Sequence, residues 1–538
     1  MADPEVENDV DFSCCKIPNA VEARTLQRGC DRRAFAKRKL RAGEVILKNA
    51  PTAHTLLSAH QQERCARCLS TSRRDDATKT SLLRCGGCKK IWYCSRECQK
   101  QDFSFHKFEC KQSLLLFSSD TTDNHGSIDN ARLLLRNFIA LNVSQNNDTN
   151  CRLEGDGDVV SCGSKHFDNL LPYAKDLPLD SHEKRDIQCA ARALWNQRKT
   201  INSKASNSNL IESLNQLEER LETDLRRFRA NNFGVTDSMV KVVASAVYPL
   251  GALLNHSCAP NCLLRYAFGT KHEQPVMEIV ASRDIDKGEE LTHSYVELVS
   301  PRDSRRASLK EIFGFDCHCE KCGTSEDAKF RISLPNHHAS LSPIELSQWI
   351  LQKYNPSISN CKGDNNSTVT LVDQETIFET PNLKNSNYKA IVDVSNAKQQ
   401  QAQYCMVTNN LEGELACLNE AVQILETTLA KISEDNGDPP LSLDLYKARC
   451  TRLGALIVAG GEGAMTECEH IVAYLCLALK HVPNHSLLGL QLFTLGDIYE
   501  ASGEREKAAA TYTWARKILR ISQGNNCDMV LLLNEKIR

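Results

Sequence analysis

No stretch of this chain stays apolar for the roughly 18–20 residues that a bilayer crossing requires, so no membrane span is expected. Nor does charge of either sign prevail: Lys+Arg total 66 and Asp+Glu 68, a net charge of −2. That balance gives no ground for general nucleic-acid binding, which draws on a broad positive field. Any basic surface has to be local. The opening residues, MADPEVENDVDF, are acidic and lack the basic, then apolar, start of a secretory leader. Secretion is therefore not expected, and N-x-S/T triplets such as Asn142-Val143-Ser144 read as chance matches.

What is present in quantity is cysteine, 25 residues of it. In a reducing compartment, thiols at short spacings point to metal rather than to disulfides. With 41% hydrophobic and 25% charged residues in 538, the chain has material for about three or four ordinary globular domains. Most cysteines outside two tight clusters read as small buried hydrophobes.

The first cluster runs Cys65-x2-Cys68, Cys85-x2-Cys88, Cys94-x3-Cys98 and His106-x3-Cys110. Seven thiols and one imidazole supply two closed tetrahedral zinc sites. A module this short and poor in large apolar side chains needs metal to fold. The second cluster is Cys317-x-Cys319-x2-Cys322, one ligand short of a tetrahedron. Cys258 is the natural fourth if the two segments meet. Three zinc ions are thus expected, the two of the first cluster structural.

Elsewhere Gly43-Glu44-Val45-Ile46-Leu47 reads as a turn feeding a strand. Ala131 to Leu141 reads as a short helix. Residues 208–230 form an amphipathic helix, with Leu210, Leu214, Leu217, Leu221, Leu225 and Phe228 on one face. That face either packs in its own domain or serves a coiled coil. Residues 355–403, rich in Asn, Ser, Lys and Gln, read as a partly disordered insertion. From about 410 the pattern is helical. Leu495, Gly496, Tyr499, Ala508, Tyr512 and Ala515 sit at the offsets of a tetratricopeptide helix pair, with a plain helical bundle as the alternative.

Around the clusters stand Asn255-His256-Ser257-Cys258-Ala259-Pro260-Asn261 and Gly288-Glu289-Glu290-Leu291-Thr292-His293-Ser294-Tyr295. With the Trp92-Tyr93-Cys94-Ser95 run of the first cluster and the C-x-C-x2-C tail, the chain resembles the SET-and-MYND lysine methyltransferases. The resemblance covers most of residues 20–325 and, more loosely, 410–538. It implies an α+β fold: a SET β-fold interrupted by a MYND zinc finger, a post-SET zinc site, and a C-terminal all-α, tetratricopeptide-like domain. The expected division is 1–64 (first part of SET), 65–110 (MYND), 111–230 (helical insert), 231–300 (SET core), 301–325 (post-SET zinc segment), 326–409 (linker and insertion) and 410–538 (helices).

By the same resemblance, Cys65, Cys68, Cys94 and Cys98 share one zinc, and Cys85, Cys88, His106 and Cys110 the other. Asn231, Asn255, His256 and Phe315 would contact S-adenosylmethionine, and Tyr295 would be catalytic. The implied function is methyl transfer to a lysine of a histone or other protein, in cytoplasm and nucleus, by a monomer whose finger takes proline-rich peptides.

Three positions depart from the family pattern. Asp31 and Arg33 stand where two glycines let the backbone approach the cofactor. Arg33 either crowds that cleft or turns away. Phe313 replaces a frequent tyrosine. The alternative is therefore a catalytically weak or inactive scaffold acting through protein–protein interaction and transcriptional regulation. Direct DNA binding through Lys89, Lys90, Arg96, Lys100 and Lys107 is the least favoured reading.

Overall fold

The computed structural model describes residues 20–25, 32–71, 82–112, 116, 125–142, 152–154, 159–161, 167, 170, 178–204, 210–268, 273–323, 331–333, 368–370, 386–436 and 442–537. Asp31 lies outside them. The chain divides into two compact units, one of residues 1–256, 261–293 and 312–314, the other of 257–260, 294–311 and 315–538.

The first unit is built on short strands: β1 (Val21–Thr25), β2 (Arg32–Ala36), β3 (Val45–Asn49), β4 (Ala53–Leu56), β5 (Leu83–Arg84), β6 (Trp92–Tyr93), β7 (Arg152–Glu154), β8 (Val159–Ser161), β9 (Asn232–Thr236), β10 (Val242–Val247), β11 (Asn255–His256), β12 (Cys262–Ala267), β13 (Val276–Ala281) and β14 (Thr292–His293). One sheet is ordered β12-β13-β3-β8-β7 and another β4-β10-β9. β1 pairs with β2, β5 with β6, and β11 lies parallel to β14. Gly43 turns the chain into β3 at φ 84°, a left-handed conformation that only glycine adopts without strain. Ile46, Leu47, Val243, Ala244, Met277 and Ile279 meet in one buried core.

Helices flank the strands: α1 (Arg96–Cys110), α2 (His125–Asn142), α3 (Ser181–Trp195), α4 (Arg198–Asn202) and α5 (Leu214–Asn231). The Ser213 hydroxyl caps α5, accepting from the Gln216 N–H at 3.2 Å. Its buried Leu217, Leu221, Leu225 and Phe228 join the cluster formed by α2 and α3. The amphipathic face is therefore core, and the coiled-coil alternative falls. The insert expected to be helical also contributes β7 and β8, which extend the sheet beside β3.

The second unit contains most of α6 (Arg302–Phe313) and then α7 (Ser386–Val407), α8 (Leu411–Asn436), α9 (Leu443–Ala459), α10 (Ala464–Ala478), α11 (Ser486–Ala501), α12 (Arg505–Ser522) and α13 (Asp528–Lys536). Here one expectation needs correction. Residues 386–403, read as part of a disordered insertion, are helical, so the helices begin well before residue 410. The buried face of α7 is Tyr388, Ser395 and Ala402, seven residues apart. Ile391 and Val392 pack beside them only partly buried, so the apolar stripe is short. Ser395 instead donates to the Ala421 carbonyl of α8 at 3.1 Å, and Tyr388 bonds Ser442 at 2.9 Å. Residues 355–367 and 371–385 of that insertion lie outside the described residues.

In the α11–α12 pair, a Cβ at Gly496 would lie 2.5 Å from the Tyr512 ring, so glycine is what lets these helices meet. Among the described residues no helix is long and apolar enough to cross a membrane.

Candidate active site and metal centres

Three sets of ligand atoms converge: Cys65, Cys68, Cys94 and Cys98; Cys85, Cys88, His106 and Cys110; and Cys258, Cys317, Cys319 and Cys322. Within each, all ligand atoms lie within 4.8 Å of one another. The edge of a tetrahedron with zinc–sulfur bonds of roughly 2.3 Å is about 3.8 Å. Cys68 and Cys94 sulfurs are 3.6 Å apart, those of Cys85 and Cys110 3.9 Å, and those of Cys258 and Cys322 3.5 Å. Donor type, number and spacing fit zinc at all three, with no ligand position left open.

Local geometry explains how short spacings reach one ion. After each C-x2-C pair of the finger the next residue is left-handed, Leu69 at φ 59° and Lys89 at φ 55°. Its N–H bonds back to the first cysteine's carbonyl, Leu69 to Cys65 at 2.9 Å and Lys89 to Cys85 at 3.0 Å. Non-glycine residues pay for that conformation, and a bound ion offsets the cost. Ser95 caps α1 by accepting from the Cys98 N–H, which sets Cys98 at the helix start. His106 and Cys110, four apart on α1, share a face.

Behind His106 lies a charged network that the sequence does not announce. The imidazole Nε2 stands 3.4 Å from the Cys85 sulfur, while Nδ1 donates to Glu109 at 3.2 Å. Arg136 of α2 forks onto Glu109 (2.7 and 2.7 Å) and onto Asp102 (2.9 and 3.1 Å). Tyr93 donates to Asp102 at 2.8 Å. All these groups are buried. Burial alone would raise the Glu109 carboxyl, but the Arg136 and Arg132 guanidinium groups prevail and hold it well below the usual range. Glu109 thus stays an acceptor that fixes the His106 ring, and Arg136 joins the finger to α2. Nearby His54 is pushed down to about 3 by burial, then by Arg136 and Arg67, so it stays neutral and donates to the Arg67 carbonyl at 2.9 Å.

The third cluster has its own cation. Arg305 of α6 is 2% exposed; its Nε donates to the Cys258 sulfur at 3.2 Å and its Nη2 to Cys322 at 3.5 Å. The Cys258 N–H donates to the Cys319 sulfur at 3.3 Å. Four thiolates around one divalent ion leave excess negative charge, and Arg305 compensates it.

The residues expected near the cofactor are placed as follows. β11 lies parallel to β14, with Asn255 opposite Thr292 and His256 opposite His293. Asn261 splices the two motifs, donating to the Glu290 carbonyl at 2.8 Å and accepting from the Thr292 N–H at 2.9 Å. The Asn255 amide donates to one Glu290 oxygen at 3.0 Å, and Arg33 pairs with the other at 3.3 Å. Arg33 is thus drawn to Glu290. Asn231 is buried at the end of α5, donating to the Arg227 carbonyl at 2.8 Å. In the second unit the Tyr295 and Phe315 rings meet edge to face at 6.5 Å. Phe313 is half-buried at the end of α6.

Residues 31–296 match the family model of the SET domain. The finger geometry stands within that span. The chain carries a SET domain. Among relatives, the chain is 24% identical to histone-lysine N-methyltransferase ASHR1 of Arabidopsis thaliana, over 94% of its own length and 92% of ASHR1. It is 26% identical to human N-lysine methyltransferase SMYD2 over 56% of its own length, and spans only 59% of SMYD2. A solved SET domain of LSMT, bound to lysine and AdoHcy, aligns at 12% identity over 91% of this chain and 89% of that one. Its TM-score of 0.27 carries no weight for the fold.

Proposed function

We propose that this protein is a SET-and-MYND protein-lysine N-methyltransferase that uses S-adenosylmethionine. The observation that carries the reading is the group formed by Asn255, Glu290 and Arg33 beside the β11–β14 pairing. It offers a carboxamide, a carboxylate and a guanidinium, the complement of an α-amino-acid end such as the cofactor carries. This donor and acceptor set supports the cofactor reading, with Arg33 drawn onto Glu290.

In this reading Asn231, Asn255, His256 and Phe315 contact the cofactor, and Phe315 also lines the lysine channel. When bound, S-adenosylmethionine supplies an electrophilic methyl group. The target lysine, with an ordinary pKa near ~10.4, has to arrive neutral, which apolar walls favour. The Tyr295 hydroxyl orients that amine, and the Phe315 ring against it fixes the Tyr295 side chain. The substrate is a protein, as the names of both relatives imply.

Tyr295→Phe is expected to lower methyl transfer by about a hundredfold or more, with zinc content and melting temperature unchanged. Transfer of tritiated methyl groups to a protein or peptide array measures it. An equally active Tyr295→Phe protein would remove Tyr295 from the site.

Finer readings belong to the same proposal: a monomer of cytoplasm and nucleus, without direct nucleic-acid binding, whose finger takes proline-rich peptides. Exposed Phe103, together with Trp92 under the Arg84 guanidinium at 5.5 Å, supports the last, since aromatic faces accept proline rings. Titrating a proline-rich peptide should quench Trp92 fluorescence in wild type and not in Phe103→Ala. Equal binding by both proteins would count against this face.

A further inference from the structure

The chain that leaves Tyr295 is gripped at three consecutive carbonyls, each by a side chain from a different element. The Leu298 carbonyl accepts from Lys321 Nζ at 2.8 Å. The Val299 carbonyl accepts from the Tyr474 hydroxyl at 2.8 Å. The Ser300 carbonyl accepts from Arg305 Nη1 at 2.6 Å. Leu298 and Val299 are buried, and the Ser300 N–H closes the turn onto Glu297 at 3.2 Å.

Each donor is anchored elsewhere. Lys321 lies between the zinc ligands Cys319 and Cys322 and also donates to the Ala478 carbonyl, the last of α10, at 2.6 Å. Arg305 spends its other nitrogens on Cys258 and Cys322. Tyr474 belongs to α10, and its ring stacks on Tyr446 of α9 with centroids 4.6 Å apart and planes at 17°. Burial keeps the Tyr474 phenol protonated well past neutrality, so it remains a donor. On the other side of Tyr295, the Ser294 hydroxyl accepts from the Val296 N–H at 3.3 Å and donates to the Val296 carbonyl at 2.6 Å. The tyrosine thus stands on a short loop with few degrees of freedom left.

Resting on the proposed role of Tyr295, we infer that Tyr474, Lys321 and Arg305 are positioning residues for it: the C-terminal helices and the third zinc site together set where this loop holds the tyrosine. Packing alone would not need three successive carbonyls to be satisfied by three elements. Water, or a turn within the loop, would serve as well. Val299 is only four residues from Tyr295, so a shift at the Tyr474 anchor is not absorbed by slack in the chain. Misplacement of a reacting group by about 1 Å costs on the order of a hundredfold in rate.

The test is Tyr474→Phe in the full, zinc-loaded chain, which removes one hydroxyl and keeps the ring stack. Amide hydrogen exchange of a peptide covering 294–300 should speed up by about five- to tenfold, the worth of one hydrogen bond. The kcat for peptide methylation should fall by a similar factor at unchanged KM for cofactor and peptide. Lys321→Gln, assayed in parallel, should move the same two readouts. Unchanged exchange at 294–300 in folded variants overturns the inference, as does faster exchange with wild-type kcat. Faster exchange in the variants, in a protein whose wild type transfers no methyl group, leaves the tether standing and overturns the methyltransferase reading instead.

Discussion

Stripping the metal with a strong chelator at neutral pH is expected to release about three zinc ions per chain and to unfold the finger. Structural zinc contributes roughly 10–16 kcal/mol of apparent binding free energy in zinc-finger peptides. That is as large as the whole stability of an ordinary domain, about 5–15 kcal/mol. The finger has little to set against such a loss. Its buried residues, among them Ile91, Tyr93 and Phe108, are few, and five of its eight ligands are themselves buried. Its two left-handed non-glycine turns at Leu69 and Lys89 also become uncompensated. Zinc can be counted by a colorimetric dye as circular dichroism follows the helices. A stripped protein that keeps the wild-type spectrum and melting transition would show that the clusters do not hold the fold. Because ligands bind deprotonated, release should grow easier as pH falls.

Arg136→Met is expected to destabilise the first unit by about 3–5 kcal/mol, the cost of leaving buried charge without its partner. Two carboxylates depend on this one guanidinium, Glu109 and Asp102, and both are fully buried. Arg132 reaches Glu109 at 3.5 Å and can compensate only that one. Arg136→Lys should recover little, since a single ammonium cannot make four forked contacts. Loss of the Glu109 anchor also frees the His106 ring, so zinc in that site should exchange faster than in the third cluster. Denaturant unfolding and the kinetics of zinc transfer to a dye measure the two effects. A variant as stable as wild type would mean the network is dispensable.

The zinc ligands were legible because metal chemistry fixes both residue type and spacing. Even Cys258, far from its partners in sequence, follows from the shortage of one ligand at Cys317, Cys319 and Cys322. The supporting shell was not legible. Arg136 sits in an amphipathic helix, and Arg305 lies in the run Arg302-Asp303-Ser304-Arg305-Arg306, which reads as a solvated face. Nothing in their spacing separates a buried guanidinium from an exposed one. Arg33 shows the same limit from the other side. Its place at a glycine position was visible, but its partner Glu290 lies 257 residues away and had to be supplied by the fold. Helix α7 went unread because its apolar stripe of Tyr388, Ile391 and Val392 is short, and Ser395 buries through a hydrogen bond that a count of apolar residues does not register.

The strand pairings carry a consequence for synthesis. β3 finds one neighbour in β8 and the other only in β13, with Asn49 opposite Met277, and β4 waits for β10. More than two hundred residues separate β3 from β13, so a ribosome adding about 5–20 residues per second leaves that edge of β3 open for roughly ten to forty seconds, with β8 arriving on the other edge first. The finger is complete by Cys110 and needs nothing downstream for its ligands. Its two ions can be captured while the nascent sheet still lacks its central partner. Scarce zinc in the producing cell should therefore show as insoluble product made with exposed strands, and not as soluble protein short of metal.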